Sequence, residues 1–294
     1  APRGGTQTLE PRDIEATPVQ MRQRIAQAVQ RQKWEVLRAQ DNITARTMFT
    51  EHRGQRFFAA ARGRLSHTLK RRMLQVLGGV FPCNLWKKRI NVSDTDKCAL
   101  CGHRDTYSHR VCACSKMHDA ITKAHDEAWK VLYEVVVKHL PSNVSHWYDT
   151  RLASIPLRNL ARPIGSAGKY KPDAVVEDET RHTIHLLEFA RTTDLWSDSL
   201  DISRARKHDK RGYKAMIEAL QLARPGWRVE LRTFVLGDRG FFDEMEWNRH
   251  WEGMSLPPPG FKELGSAAVQ AAYESADLVL TAYKGAITEK KAGA

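Results

Sequence analysis

Two sets of side chains in this sequence have the types and spacing to do chemistry. The first is Cys98, Cys101, His109 and Cys114, in the order Cys-x2-Cys-x7-His-x4-Cys. Thiolates and imidazole are the ligands of a closed tetrahedral zinc site, and a close Cys pair followed by a later His and Cys supplies its four corners. Cys112, His103 and His118 are spare donors that could replace one of the later ligands. A thiol loop without metal remains the alternative. All five cysteines fall between positions 83 and 114, and an odd number in so short a stretch suits reduced thiolates on a metal better than a disulfide framework. Such a site would be structural, supplying folding energy to a segment with little core of its own.

The second set is Asp173, Glu188, Lys207 and Lys210. Lys171-Pro172-Asp173 opens one apolar run, and Glu188 lies near the end of another after fourteen intervening residues. Hydrolysis of a phosphodiester needs a hard divalent ion, Mg²⁺ or Mn²⁺, on oxygen ligands, which lowers the pKa of a bound water and neutralises charge on the phosphate. A nearby lysine can orient that water or stabilise the pentacoordinate charge. The plain alternatives are a turn-proximal acid at Asp173 and simple phosphate contacts by the lysines.

For these residues to meet, the chain between them must form adjacent strands and a following helix. The runs 173–177 and 183–190 are expected to pair through a turn at Asp178 to Arg181, with Glu177 facing His182 and Asp173 facing Leu186. Glu188 is then a diagonal neighbour of Asp173 on the same face, about 7–8 Å away. Ile184, Leu186 and Glu188 share one side and His185, Leu187 and Phe189 the other. The second strand is therefore apolar on both sides and central. A carboxylate buried there is costly unless it is paired or holds a metal. A helix from about Ser203 to Leu222 aligns Lys210 with Tyr213, Ile217 and Leu220, with Lys207 one turn earlier. Tyr213 reads as core. Leu152 to Leu157 is expected as a first strand and Trp227 to Leu236 as a last one. The outcome is an α/β fold, a mixed sheet flanked by helices, in the order helix, three strands, helix, strand.

The rest divides by composition. Residues 1–17 read as a flexible lead-in. Residues 18–93 form a helical basic linker, with one or two helices expected from Pro18 to about Met48 and another from Leu69 to Leu77 stopped by Gly78-Gly79. Residues 94–125 hold the Cys/His segment, 126–250 the sheet-containing core, and 251–294 a C-terminal extension with a helix from about Ser266 to Tyr283. Net charge is +13, which points to a polyanionic partner. Between His52 and Ser93 lie ten Arg or Lys and no acid. Arg62, Arg64, Lys70, Arg71, Arg72, Lys87, Lys88 and Arg89, with Lys171, are the expected nucleic-acid contacts. No run reaches the ~18 apolar residues of a membrane span, and Ala1-Pro2-Arg3-Gly4-Gly5 is no secretory signal. A nuclear protein made in the cytosol, and a piece of a longer chain, is expected.

Pro172-Asp173 followed by Glu188 resembles the PD-(D/E)xK nuclease superfamily, whose helix, three strands, helix and strand have the order given above. Ala190 occupies the place of that superfamily's lysine, which can migrate to the next helix, where Lys207 and Lys210 stand. The order of motifs narrows the likeness. A basic helix, then Val76 to Asn84, the Cys-Cys-His-Cys segment, Lys123-Ala124-His125-Asp126, and then Lys-Pro-Asp and Glu is similar to the C-terminal region of early-branching non-LTR retrotransposon proteins. Those carry a restriction-like endonuclease behind a zinc knuckle, and often an Arg-His-Asn triplet where this chain has Ala124-His125-Asp126. The resemblance covers about Leu69 to Gly240. It implies cleavage of double-stranded target DNA to leave a 3′-hydroxyl for a reverse transcriptase in the same polyprotein, with element RNA a further possible partner. No Asp-Asp dipeptide occurs, so the usual polymerase motif is missing. A Holliday-junction-resolvase-like or repair nuclease, and an inactive zinc-knuckle nucleic-acid-binding module, are the competing readings.

Overall fold

The computed structural model describes residues 57–157, 160–193, 199–208 and 211–292. The lead-in, the one or two helices expected from Pro18 to about Met48 and Lys210 lie outside these residues. Among the described residues three short helices come first: α1 (Phe57–Arg64), α2 (His67–Leu77) and α3 (Asn84–Arg89). Ser66 caps α2 by accepting from the Leu69 amide at 3.3 Å. Leu69, Met73 and Val76, spaced at helical intervals, turn inward, and α2 ends at Gly78 as its sequence predicts.

A long helix α4 (His118–His139) leads into β1 (Ser145–Tyr148), β2 (Ala174–Asp178) and β3 (Thr183–Thr192). Two helices, α5 (Ser199–His208) and α6 (Arg211–Ala223), then precede β4 (Arg228–Gly237). The sheet runs β1-β2-β3-β4, with the first two pairings antiparallel and the last parallel. A parallel neighbour cannot be reached by a tight turn, so α5 and α6 supply the crossover. The chain closes with α7 (Glu244–Gly253) and α8 (Pro258–Ala292).

Four expectations need correction. The first strand is Ser145–Tyr148, not Leu152 to Leu157. The latter run contains Pro156, which has no amide to give a ladder. Its backbone closes locally instead, with Ile155 donating to the Leu152 carbonyl at 3.3 Å. The β2–β3 turn lies one residue later than expected at each end, because Asp178 pairs with Thr183. Its carboxylate gathers the turn, accepting from the Thr180 amide at 3.0 Å, the Thr180 hydroxyl at 2.6 Å and the Arg181 amide at 3.1 Å. His182 completes the turn at φ 49°. The single helix expected over 203–222 starts earlier, at Ser199, and is two helices. The C-terminal helix runs 35 residues, far beyond Ser266 to Tyr283.

The sheet separates two cores. On one side Ala174, Val176, Leu187, Phe189 and Phe234 meet α1, α2, α4, α7 and α8. On the other, Val175, Ile184 and Leu186 meet Tyr213, Met216 and Leu220 of α6. β3 is buried from Thr183 to Ala190, which is the burial expected of a central strand with apolar residues on both faces. Close approach of α1 to α8 depends on Gly265, where a Cβ would lie 2.6 Å from the Phe57 ring.

Candidate functional site

Cys98 and Cys101 are presented by a small hairpin. Lys97 and Arg104 form an antiparallel bridge, the Cys98 amide donates to the His103 carbonyl at 2.6 Å, and the Gly102 amide donates to the Cys98 carbonyl at 2.9 Å. Gly102 takes φ +78°, a conformation that favours glycine and turns the chain tightly after the second thiol. His109 opens a single π-helical turn, His109–Ala113, that delivers Cys114. In an α-helix, residues five apart would diverge by about 140°. The wider turn keeps both ligands on one side.

The donor atoms of Cys98, Cys101, His109 and Cys114 all lie within 4.8 Å of one another. Cys98 and Cys114 sulfurs are 3.9 Å apart, and Cys101 Sγ is 3.2 Å from His109 Nε2. A tetrahedron with Zn–S near 2.3 Å has edges of about 3.8 Å, so the four residues fit zinc in type, number and spacing. Cys112, His103 and His118 are not in this set, and His103 instead stacks beside His109 with ring centroids 6.2 Å apart. Burial alone would raise the Cys98 thiol. Hydrogen bonds from the Tyr283 hydroxyl, the Cys101 and Leu100 amides and His109 outweigh it and bring Cys98 down to about 6. Cys114 goes the other way, pushed up to about 12 by burial, against the Lys116 amide and with the Cys98 charge. A cation between these sulfurs would favour the thiolate form of both.

Tyr283 was not foreseeable from the Cys/His spacing. It sits in α8, 185 residues along from Cys98, with its hydroxyl 3.2 Å from the Cys98 sulfur. Val279 and Tyr283 share a small core with Cys98, Cys114, Met117 and Ala124. The Cys/His segment is thereby packed onto the last helix.

Of the acidic residues, Asp173 stands just before β2 and Glu188 lies within β3. Ala174 pairs with Leu187, so continuing that ladder sets Asp173 across from Glu188 rather than diagonal to it. Strand alternation puts both on the α6 side, the face of Val175, Ile184 and Leu186. Asp173 Oδ2 accepts from the Phe189 amide at 2.7 Å, extending the ladder by one side-chain bond. Its carbonyl accepts from the Asp149 amide at 2.9 Å and from Trp129 Nε1 at 3.3 Å, which ties α4 to this corner. The Glu188 side chain is 3 % exposed and makes an ion pair with Lys207, which reaches in from α5. In the parallel register Glu188 stands beside Thr233. The Thr233 hydroxyl lies 3.3 Å from His208 Nε2. His208 follows Lys207 directly in sequence, and that adjacency was the one signal that could have flagged it. Tyr213 is buried in the α6 core.

The expected nucleic-acid contacts are spread over three helices and one loop. Arg62, Arg64, Arg71, Lys88 and Arg89 are exposed, while Lys70, Arg72 and Lys87 are half-buried. Folding brings in acids that the basic segment itself lacks. Asp277 of α8 pairs with Arg72, Asp96 lies 3.9 Å from Lys88, and Lys171 pairs with Asp149 at 2.7 Å. No helix among the described residues is long and apolar enough to cross a membrane. No protein-family model and no curated protein matches the chain.

Proposed function

We propose that this protein is a divalent-metal-dependent DNA endonuclease. In the setting its sequence resemblance implies, it cuts target DNA to leave a 3′-hydroxyl for a reverse transcriptase. The observation that carries the reading is Glu188, a carboxylate buried in the central strand, across from Asp173 and joined by a lysine from the crossover helix. A carboxylate so buried needs a pairing charge or a metal, and buried charge pairs of this kind collect at functional sites. The succession of α4, three strands, the α5–α6 crossover and β4 agrees with a PD-(D/E)xK core.

Asp173 and Glu188 are oxygen donors on one face, suited to a hard cation. What Mg²⁺ or Mn²⁺ held there supplies is an acidified water and screening of the phosphate charge. The Phe189 amide and the Trp129 indole fix Asp173 from two directions. Lys207 balances Glu188 in the resting site and is our candidate for the role of the lysine missing at Ala190. Within reach of the same carboxylate, its ammonium group can steady charge that builds on the phosphate oxygens.

Supercoiled plasmid with Mg²⁺ or Mn²⁺ provides the test. Glu188→Gln and Asp173→Asn are each expected to slow nicking by about 10²-fold or more, and Lys207→Met by a similar factor with plasmid binding retained. Nicking that survives both carboxylate changes would sink the hydrolytic reading. Tight binding by the wild-type chain without nicking would favour a zinc-stapled nucleic-acid-binding module instead.

A further inference from the structure

Between α2, α3, the Cys98–Cys101 turn and the end of α8 lies an open groove of about 610 Å³. Phe81, Leu280 and Ile287 give it an apolar floor, while Arg71, Lys87, Lys284 and Lys291 stand around it. Arg72 and Arg110 also line it, but each already holds a carboxylate, Asp277 and Asp105 respectively. Among the described residues the other four cations have no ion-pair partner within 4 Å. Like charges converging without acids raise the local potential, and a polyanion relieves it.

The zinc cluster and the groove share a wall. Ala99, between the first two thiols, lines the groove and accepts from Lys290 Nζ at 2.7 Å. Tyr283 lines it as well, beside Cys98.

We infer that this groove is a single-stranded nucleic-acid site. A double helix presents phosphates on a convex surface and keeps its base faces stacked inside, so it could meet the cations but would leave the floor unfilled. An unpaired strand brings phosphates and flat apolar bases together, matching a cationic rim over an apolar bed. The volume is that of a small-molecule pocket, room for one or two nucleotides. Nothing in this depends on hydrolysis by Asp173 and Glu188.

Fluorescence anisotropy of the full chain tests the inference, in zinc-containing buffer free of Mg²⁺ and Mn²⁺. The probes are labelled oligo-dT of about 12 nucleotides and a duplex of equal length. Lys284→Gln/Lys291→Gln, both on the exposed end of α8, is expected to weaken oligo-dT binding about tenfold. Two lost phosphate contacts at about 0.7 each should also lower its log K against log salt slope by about 1.4. Duplex affinity should change less than about twofold, and Arg71→Gln on the opposite wall should act in the same direction. Equal losses on both probes, or unchanged oligo-dT binding, overturns the proposal. A wild-type chain that binds oligo-dT but never nicks plasmid would sink the endonuclease reading and leave this one standing.

Discussion

His185 and His250 are buried on the α7 side of the sheet, and each is held neutral to about 3, first by burial and then by the Arg232 charge. Arg232 Nε donates to His185 Nδ1 at 3.0 Å, a bond that requires the unprotonated nitrogen. In the unfolded chain both rings take up a proton near pH 6.5. Between that value and about 3 the unfolded state therefore binds more protons, and stability falls as pH drops, by about 1.4 kcal/mol per pH unit for each histidine. Urea unfolding between pH 7.5 and 5 measures this above the range where carboxylates titrate. His250→Gln, which keeps a donor for the Thr233 carbonyl, should remove roughly half of the slope, and an unchanged slope would refute the assignment. At this scale the sequence exposes residue types better than partners. The four residues of the Cys/His cluster were legible because their spacing alone confines them, whereas the Arg232–His185 contact joins positions 47 apart through the register of two strands. The Lys207 to Glu188 pair was half legible. Helical spacing put lysines on the right helix, but it could not tell which one reaches inward.

The β2–β3 hairpin shows how an element can be anticipated and its register still missed. Alternation gave both strands and the shared face of Asp173 and Glu188, because a shift by two residues preserves the side of the sheet. The turn was misread because Asp178 looked like the first loop residue, whereas its side chain serves as the scaffold of the loop. Asp178→Ala is therefore expected to destabilise the fold by about 0.5–1.5 kcal/mol, because the Thr180 and Arg181 amides of the exposed turn lose their acceptor. Asp178→Asn, which keeps one acceptor oxygen, should recover most of that. Thermal unfolding of the two variants decides it, and equal losses would mean that the carboxylate charge rather than the turn bonds is what counts. The Leu152 to Leu157 run failed as a strand for a local reason, since Pro156 cannot join a ladder. Nothing in Ser145 to Tyr148 advertised the true edge strand, whose first two residues are exposed.

Across the whole molecule, the separate segments suggested by composition are joined by α8. Its first half, including Phe261, Leu264 and Ala268, is buried in the main core with α1 and α4. Its later turns, Val279 and Tyr283, pack on Cys98, Cys114 and Met117. No local signal could reveal this, because Ser266 to Tyr283 reads as an ordinary amphipathic helix and its partners lie far back in the chain. The separation of the small Cys/His core from the main core makes a distinctive prediction about metal removal. The small core buries Cys98 and Cys114 and has Cys101 packed against it, so if zinc bridges these sulfurs its removal takes away their link and returns a proton to Cys114. The sheet core contains none of the ligands and keeps its contacts. Chelation, or Cys101→Ser, is thus expected to raise amide hydrogen exchange in the Cys/His segment and in α8 from about Val279 onward, while β3 and the first half of α8 stay protected. Elemental analysis should find one zinc per wild-type chain, and cobalt substitution should give a tetrahedral thiolate spectrum. If exchange rises uniformly through β3, the cluster supports the whole fold rather than one end of its longest helix. If nothing changes on chelation, the four residues hold their geometry without a metal, and the zinc assignment fails.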